Sequence, residues 1–179
     1  MTILESDLAL VHAEYNPVDV FSRVGGKNSR NLLASDVDAV FQPGVILGSD
    51  ASDSYTYQYR KLHLLNRTAT KTFGSVKIYG FNVKRNNIVK FALEKNIEDD
   101  VVIDGSDMIG NYRQTPGIVN DYSFTEVDSD AALDIGNGGI LPPLSAQGIW
   151  LRMMIPKNYS DCDTGSEQFS IGYMGSDIT

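Results

Sequence analysis

Between residues 55 and 93 the chain repeatedly alternates apolar and polar side chains with a period of two. That is the period of a β-strand, whose successive side chains point to opposite faces. Tyr55, Tyr57 and Tyr59 share one parity, with Thr56, Gln58 and Arg60 on the other. Past Arg60-Lys61 the apolar residues Leu62 and Leu64 take the opposite parity, which predicts a bulge or twist near Arg60. Residues 66–72 read as a polar turn. A second strand over residues 76–83 is apolar on both parities (Val76, Ile78, then Tyr79, Phe81, Val83), which places it near a sheet centre with a kink at Gly80. After the turn Arg85-Asn86-Asn87, the residues Val89, Phe91 and Leu93 alternate with Lys90, Ala92 and Glu94, the pattern of a half-buried strand. The three strands together are read as the scaffold of a sheet.

The flanks are less regular. Leu8, Leu10 and His12 alternate against Ala9, Val11 and Ala13, which predicts a strand within residues 4–15. Residues 16–31 read as irregular, with a turn signal at Gly25-Gly26-Lys27-Asn28-Ser29. Ser35, Asp36 and Asp38 ahead of Val40 and Phe41 predict a short helical turn that ends before Pro43-Gly44, and residues 48–54 form a loop by composition. Downstream, strands are expected around Val101-Val102-Ile103 and at Tyr122, Phe124 and Glu126, separated by a long loop through Gly117. A short strand over residues 131–135 precedes a turn at Gly136-Asn137-Gly138-Gly139. The run IWLRMMI from Ile149 and the alternating stretch from Gln168 to Tyr173, joined by polar residues 158–167, close the chain as a hairpin-like unit.

Many short strands separated by Gly, Pro, Asn and Asp predict an all-β fold, an antiparallel β-sandwich of jelly-roll or immunoglobulin-like type with long loops. A length of 179 residues fits one domain over 1–179, with residues 1–54 as an extended N-terminal arm or loop region.

Charge narrows the function classes. Fifteen Lys and Arg against 23 Asp and Glu give a formal net charge of −8, which argues against a phosphate-binding surface and so against nucleic acid as a partner. No apolar run approaches the length of a membrane span, so no membrane partner is expected. The N-terminal stretch MTILESDLALV has no basic region ahead of its apolar part, so synthesis in a cytoplasm is expected. The single cysteine, Cys162, allows neither an internal disulfide nor a cysteine-based zinc site.

Candidate chemistry is sparse, and the expectation is a non-enzyme without a cofactor. Gly25 to Ser29 lacks the spacing of a phosphate-binding loop, and no serine sits in a nucleophile elbow. His12 and His63 are far apart in sequence, and His63 is expected to face solvent or a partner. Asp161, Asp163 and Glu167 flank Gly165 and form a weak calcium candidate, since their spacing is tighter than that of an EF-hand. The aromatic set Tyr55, Tyr57, Tyr59, Tyr79, Phe81 and Trp150 fits a buried sheet face, a protein interface or a sugar-stacking platform, in that order. Tyr55, Tyr57, Tyr59, Arg60 and His63 are the interface candidates.

Two stretches carry a family resemblance. One comprises Gly25-Gly26, Asn31-Leu32, then Tyr59-Arg60-Lys61 and the strand end Asn66; the other runs QGIWLRMMIPKNYSDCDTGSEQFSIGYMG, with its Trp-Leu-Arg strand at Trp150-Leu151-Arg152. Together they resemble a group of tailed-bacteriophage virion proteins. The Phe-Pro of that pattern is replaced here by Leu33-Ala34, and residues 95–140 have no counterpart in it. The resemblance implies a structural component of a phage particle, made in the host cytoplasm and localised to the virion. Its most direct form is a capsid decoration or cement protein that docks on the major capsid protein and forms a homo-oligomer. The alternative is a tail or neck accessory protein that binds carbohydrate or a receptor.

Overall fold

The computed structural model describes residues 7–15, 24–33, 55–81, 89–97, 102–103, 124–125, 131–156 and 170–179. These form two antiparallel sheets. In chain order the strands are β1 (Leu8–Tyr15), β2 (Val24–Leu32), β3 (Tyr55–Asn66), β4 (Phe73–Phe81), β5 (Val89–Leu93), β6 (Val102–Ile103), β7 (Leu133–Asp134), β8 (Ala146–Pro156) and β9 (Ser170–Asp177). The larger sheet has the order β5-β8-β3-β1-β2-β6 and the smaller β7-β4-β9. The helical content among the described residues is one turn, Gly136–Gly139, with Asn137 and Gly138 at positive φ.

The core is shared between the sheets. Leu8, Leu62, Leu64, Phe91, Ile149 and Leu151 of the larger sheet pack in one cluster with Phe73, Val76 and Ile78 of β4, together with Ile135 and Leu141. Burial of these side chains supplies the main driving force, at roughly 25 cal/mol per Å² of apolar surface.

Several expectations are corrected by this arrangement. β3, β4 and β5 are strands, but they do not make one sheet: β4 is the centre of the smaller sheet, and β8 enters between β3 and β5. No bulge interrupts β3, which pairs with β8 without a register shift from Tyr55↔Pro156 to Leu65↔Ala146. Its change of parity has another cause. From Tyr59 to Leu64 the strand is buried on both faces, Leu62 and Leu64 on the shared core and Tyr59, Lys61 and His63 on the opposite face. The irregularity of β4 lies between Gly74 and Lys77, with Ser75 at φ 52, and not at Gly80, which pairs regularly with Ile171.

Residues 24–32 form a strand where a turn was expected. Their Gly, Asn and Ser content is accommodated by bulges: Val11 faces Leu32, Ala13 faces Asn28 and Tyr15 faces Gly25, so β2 inserts extra residues at both steps. Arg30 absorbs the distortion at φ 60, and the Ser29 hydroxyl donates to the His12 carbonyl at 2.9 Å. β1 and β2 are therefore integral to the sheet, so the arm assigned to residues 1–54 does not include them. The closing hairpin is also absent: β8 pairs with β3 and β5, whereas β9 pairs with β4. The short strand β7 ahead of the Gly136–Gly139 turn, the β6 pair and the turn over residues 66–72 match expectation. Of the strand expected around Phe124, the described part is one bridge, Phe91↔Thr125. The helical turn expected at residues 35–42 lies outside the described residues.

Asn66 fixes the end of β3. Its side-chain N–H groups donate to the carbonyls of Lys71 at 2.9 Å and Pro142 at 2.8 Å, with Leu141 at 3.2 Å, while its oxygen accepts from the Thr68 amide and hydroxyl. One fully buried amide thus ties the 66–72 turn to the segment that leads into β8. Nearby, Lys71 and Asp7 form a 2.9 Å ion pair whose hydrogen bond raises the lysine above its ordinary 10.5. The hydroxyl and amide of Thr179 both donate to Asp177 and hold it below its ordinary 3.8.

Asn66→Ala should lower stability by about 2–3 kcal/mol, because it removes the hydrogen bonds from one buried amide to three carbonyls and those that it accepts from Thr68. Urea denaturation with an unchanged slope and a lower midpoint would register this. For Asp177 the folded value is depressed. Its contribution is present above the unfolded carboxylate value and is lost as the pH falls through the folded one. Both groups are exposed to solvent, so the effect is small and screened by salt. Asp177→Asn should flatten the acid limb of melting temperature against pH at low ionic strength.

Candidate functional site

The face of the larger sheet that points away from the shared core carries most of its polar chemistry. Register defines this face: Tyr59 pairs with Arg152, Lys61 with Trp150 and His63 with Gly148, while Lys90 and Ala92 of β5 pair with Arg152 and Trp150. Glu94 follows β5, and its amide donates to the Gly148 carbonyl.

At its centre lies a buried ion pair. Lys61 Nζ and Glu94 Oε1 are 2.6 Å apart, and both side chains have 0% exposure. The same carboxylate oxygen accepts the indole N–H of Trp150 at 3.1 Å, and Lys61 Nζ stands 5.6 Å from the centroid of that indole. The pair therefore spans β8, joining β3 to the end of β5. Gly148 makes this possible, since a Cβ there would fall on the Glu94 carboxylate. Gln147, on the opposite side of β8, accepts from the Gly136 amide and donates to the Glu94 and Gly148 carbonyls. The backbone on which Glu94 sits is thereby anchored as well. Withdrawing two charges from water costs several kcal/mol per ion, which only close pairing and added hydrogen bonds offset.

Beside this centre, Phe124 meets Tyr59 edge-on, with ring centroids 5.9 Å apart, and Arg152 lies 4.5 Å over the Phe124 ring. Arg60, on the other parity, donates to the Tyr59 carbonyl at 2.7 Å. Burial lowers its guanidinium to about 10, which leaves it charged at neutral pH.

The residues singled out from sequence are placed as follows. Tyr59, Arg60 and His63 are buried within the chain, at 2%, 7% and 2% exposure, so they offer no docking surface; the reading of His63 as solvent-facing is corrected. Trp150 is likewise buried and cannot serve as a sugar-stacking platform. Tyr55 and Tyr57 are backbone members of β3 opposite Pro156 and Met154, but their side chains lie outside the described residues. Asp161, Asp163 and Glu167 also lie outside them. Among the described residues no group of three His, Cys, Asp or Glu side chains is placed to hold a metal.

Sequence reasoning missed Lys61 and Glu94, because a charged residue in an alternating strand reads as solvated. The available signal was Gly148, a glycine inside a strand, which marks a close approach.

Apolar exposure is concentrated elsewhere, with Met174 at 42% and Ile178 at 54% at the chain's end, along with Ile140, Leu144 and Leu32. Met174 pairs with Lys77 in β4, and Ile178 packs over Gly74. Lys77 forms an ion pair with Asp134 at 3.3 Å. β9 carries no charged side chain from Ser170 through Ser176, and among the described residues its second edge has no strand partner.

No family model matches this chain, and neither the curated proteins nor the solved structures contain a match.

Gly148→Ala should destabilise the fold by about 1–3 kcal/mol through overpacking, with the Glu94 carboxylate displaced from Lys61. The check is chemical denaturation, with the Trp150 fluorescence maximum reporting on the loss of the indole hydrogen bond.

Proposed function

We propose that this chain is a structural component of a bacteriophage virion, a capsid decoration or cement subunit that docks on the major capsid protein. In this reading it is a β-sandwich of jelly-roll or immunoglobulin-like type, without an enzymatic role, and it forms a homo-oligomer. The observation that supports the reading is where the residues of the resemblance lie. Gly25-Gly26 and Asn31-Leu32 belong to β2, Tyr59-Arg60-Lys61 and Asn66 to β3, and Trp150-Leu151-Arg152 to β8. These parts of the two stretches thus fall in one sheet segment, β2-β1-β3-β8, with Lys61 directly opposite Trp150, while the closing part of the second stretch lies in β9 of the smaller sheet.

Docking belongs to the periphery in this reading. The residues of the resemblance in β3 and the start of β8, Tyr59-Arg60-Lys61, Asn66 and Trp150-Leu151, are buried in the sheet and act as scaffold. The β9 edge and its apolar neighbours Met174 and Ile178 supply the surface. An uncharged edge strand is a ready template for an added strand, and natural edges that must stay unpaired carry a Lys, a Pro or a bulge. Many copies on a symmetric lattice would multiply a modest affinity.

Purified protein should bind expanded heads that lack it, with a copy number matched to the capsid lattice. Met174→Lys and Ile178→Lys should each weaken this binding about tenfold, the scale of about 1.4 kcal/mol, while melting temperature is retained. Binding to host polysaccharide with none to heads would sink the proposal in favour of a tail accessory.

A further inference from the structure

The Lys61–Glu94 pair carries more chemistry than a salt bridge requires. An amine and a carboxyl group are in contact at 2.6 Å, both without exposure to water. The oxygen facing the amine also receives the Trp150 indole N–H at 3.1 Å. The other oxygen lies over Gly148, where a Cβ would meet it. Gly148 is directly opposite His63, itself 2% exposed, so the imidazole belongs to the same face as the pair. An acyl group, a nucleophile and a donor for a developing oxyanion are thus gathered in one dry site, with a buried group able to carry a proton on the same sheet face.

We infer that Lys61 and Glu94 condense to an intramolecular amide that joins β3 covalently to the end of β5. One ammonium proton passes to the carboxylate, giving a neutral amine and a carboxylic acid; exclusion of water lowers the cost of reaching this neutral form. The Nζ lone pair adds to Cδ, forming the C–N bond, and the carbonyl electron pair moves onto Oε1, which Trp150 stabilises by its N–H. A second Nζ proton is carried by His63 to the Oε2 hydroxyl. The Cδ–Oε2 bond breaks, water leaves with that electron pair, and the Oε1 lone pair restores the carbonyl. Three ammonium protons become one amide N–H and the two hydrogens of water, and no oxidant or reductant is needed. Fixed proximity replaces activation of the acyl group, since positioned groups react as if at very high concentration. Dryness then protects the product from hydrolysis. The inference does not depend on the virion reading.

The test is the intact mass of the full chain, folded, incubated and then denatured. It should be lighter than the sequence by one water molecule. Proteolysis should yield a branched peptide joining the segments that contain Lys61 and Glu94. Lys61→Met and Glu94→Ala should each show the unaltered mass of their sequences. Glu94→Gln should form the same link with loss of ammonia in place of water. His63→Gln should slow appearance of the lighter species in refolded protein; an unchanged rate would overturn the role given to the imidazole. Wild-type protein that folds cooperatively yet keeps the full mass of its sequence after prolonged incubation would overturn the amide itself. That measurement needs no variant, so it stands even where a substitution prevents folding.

Discussion

Two opposite charges share a site with no water, and much of the larger sheet is arranged around keeping them together. Lys61 comes from β3 and Glu94 from the end of β5, and β8 lies between them. The distance is bridged over Gly148, where a side chain would collide with the carboxylate. Trp150 lies two residues further along the same face and supplies both a hydrogen bond and an aromatic surface for the ammonium. Removing either charge alone would leave the other buried and unpaired, a loss of about 3–5 kcal/mol. The register of β8 against its two neighbours is therefore held by electrostatics on one face and by apolar packing on the other. A slip of one residue would send Lys61 into the apolar core and Leu62 out of it.

This dependence explains why chain order and strand order diverge. β3 and β5 are separated in sequence by β4, which crosses to the smaller sheet, and β8 returns from far downstream to pair with both. Few of these contacts are local, so the fold rests on long-range pairing, which tends to form slowly. Asn66 and Gln147 act at the crossings. Asn66 ties the exit of β3 to the entry of β8, and Gln147 ties β8 to the end of β5 and to the Gly136 turn. Each substitutes side-chain hydrogen bonds for ladder bonds where strands end.

Strand positions were legible in the sequence where alternation was clean, as in β5, and where turn-forming residues were grouped, as at residues 66–72 and 136–139. They were illegible where two faces are both buried. The polar members of β3 then looked like a solvated side, and their burial looked like a bulge. β2 was hidden for a different reason: its Gly, Asn and Ser residues are turn formers locally, and only the bulged pairing with β1 makes them a strand. Partner choice was not legible at all. Nothing in the run from Ile149 or in β9 says that these strands belong to different sheets, because pairing depends on distant residues. The buried ionic site was half legible, through the glycine at position 148 and not through its charges.

The contrast between the two sheets follows from the same physics. The larger sheet buries polar groups on its far face, and those groups are exacting: each needs a partner at a defined distance, so the face can hold one arrangement. Among its described residues the small sheet has no buried charge. Its exposed Met174 and Ile178 and the uncharged run of β9 tolerate many geometries and leave backbone groups available for pairing. A sheet whose far face is committed to buried pairing, beside an uncharged edge, suits a subunit that must keep its shape while bound in a lattice. The virion reading therefore assigns the resemblance residues of β2, β3 and β8 to the first and docking to the second. That division is also why Tyr59, Arg60 and His63 of β3 could not serve as the interface: they are committed to holding the sheet.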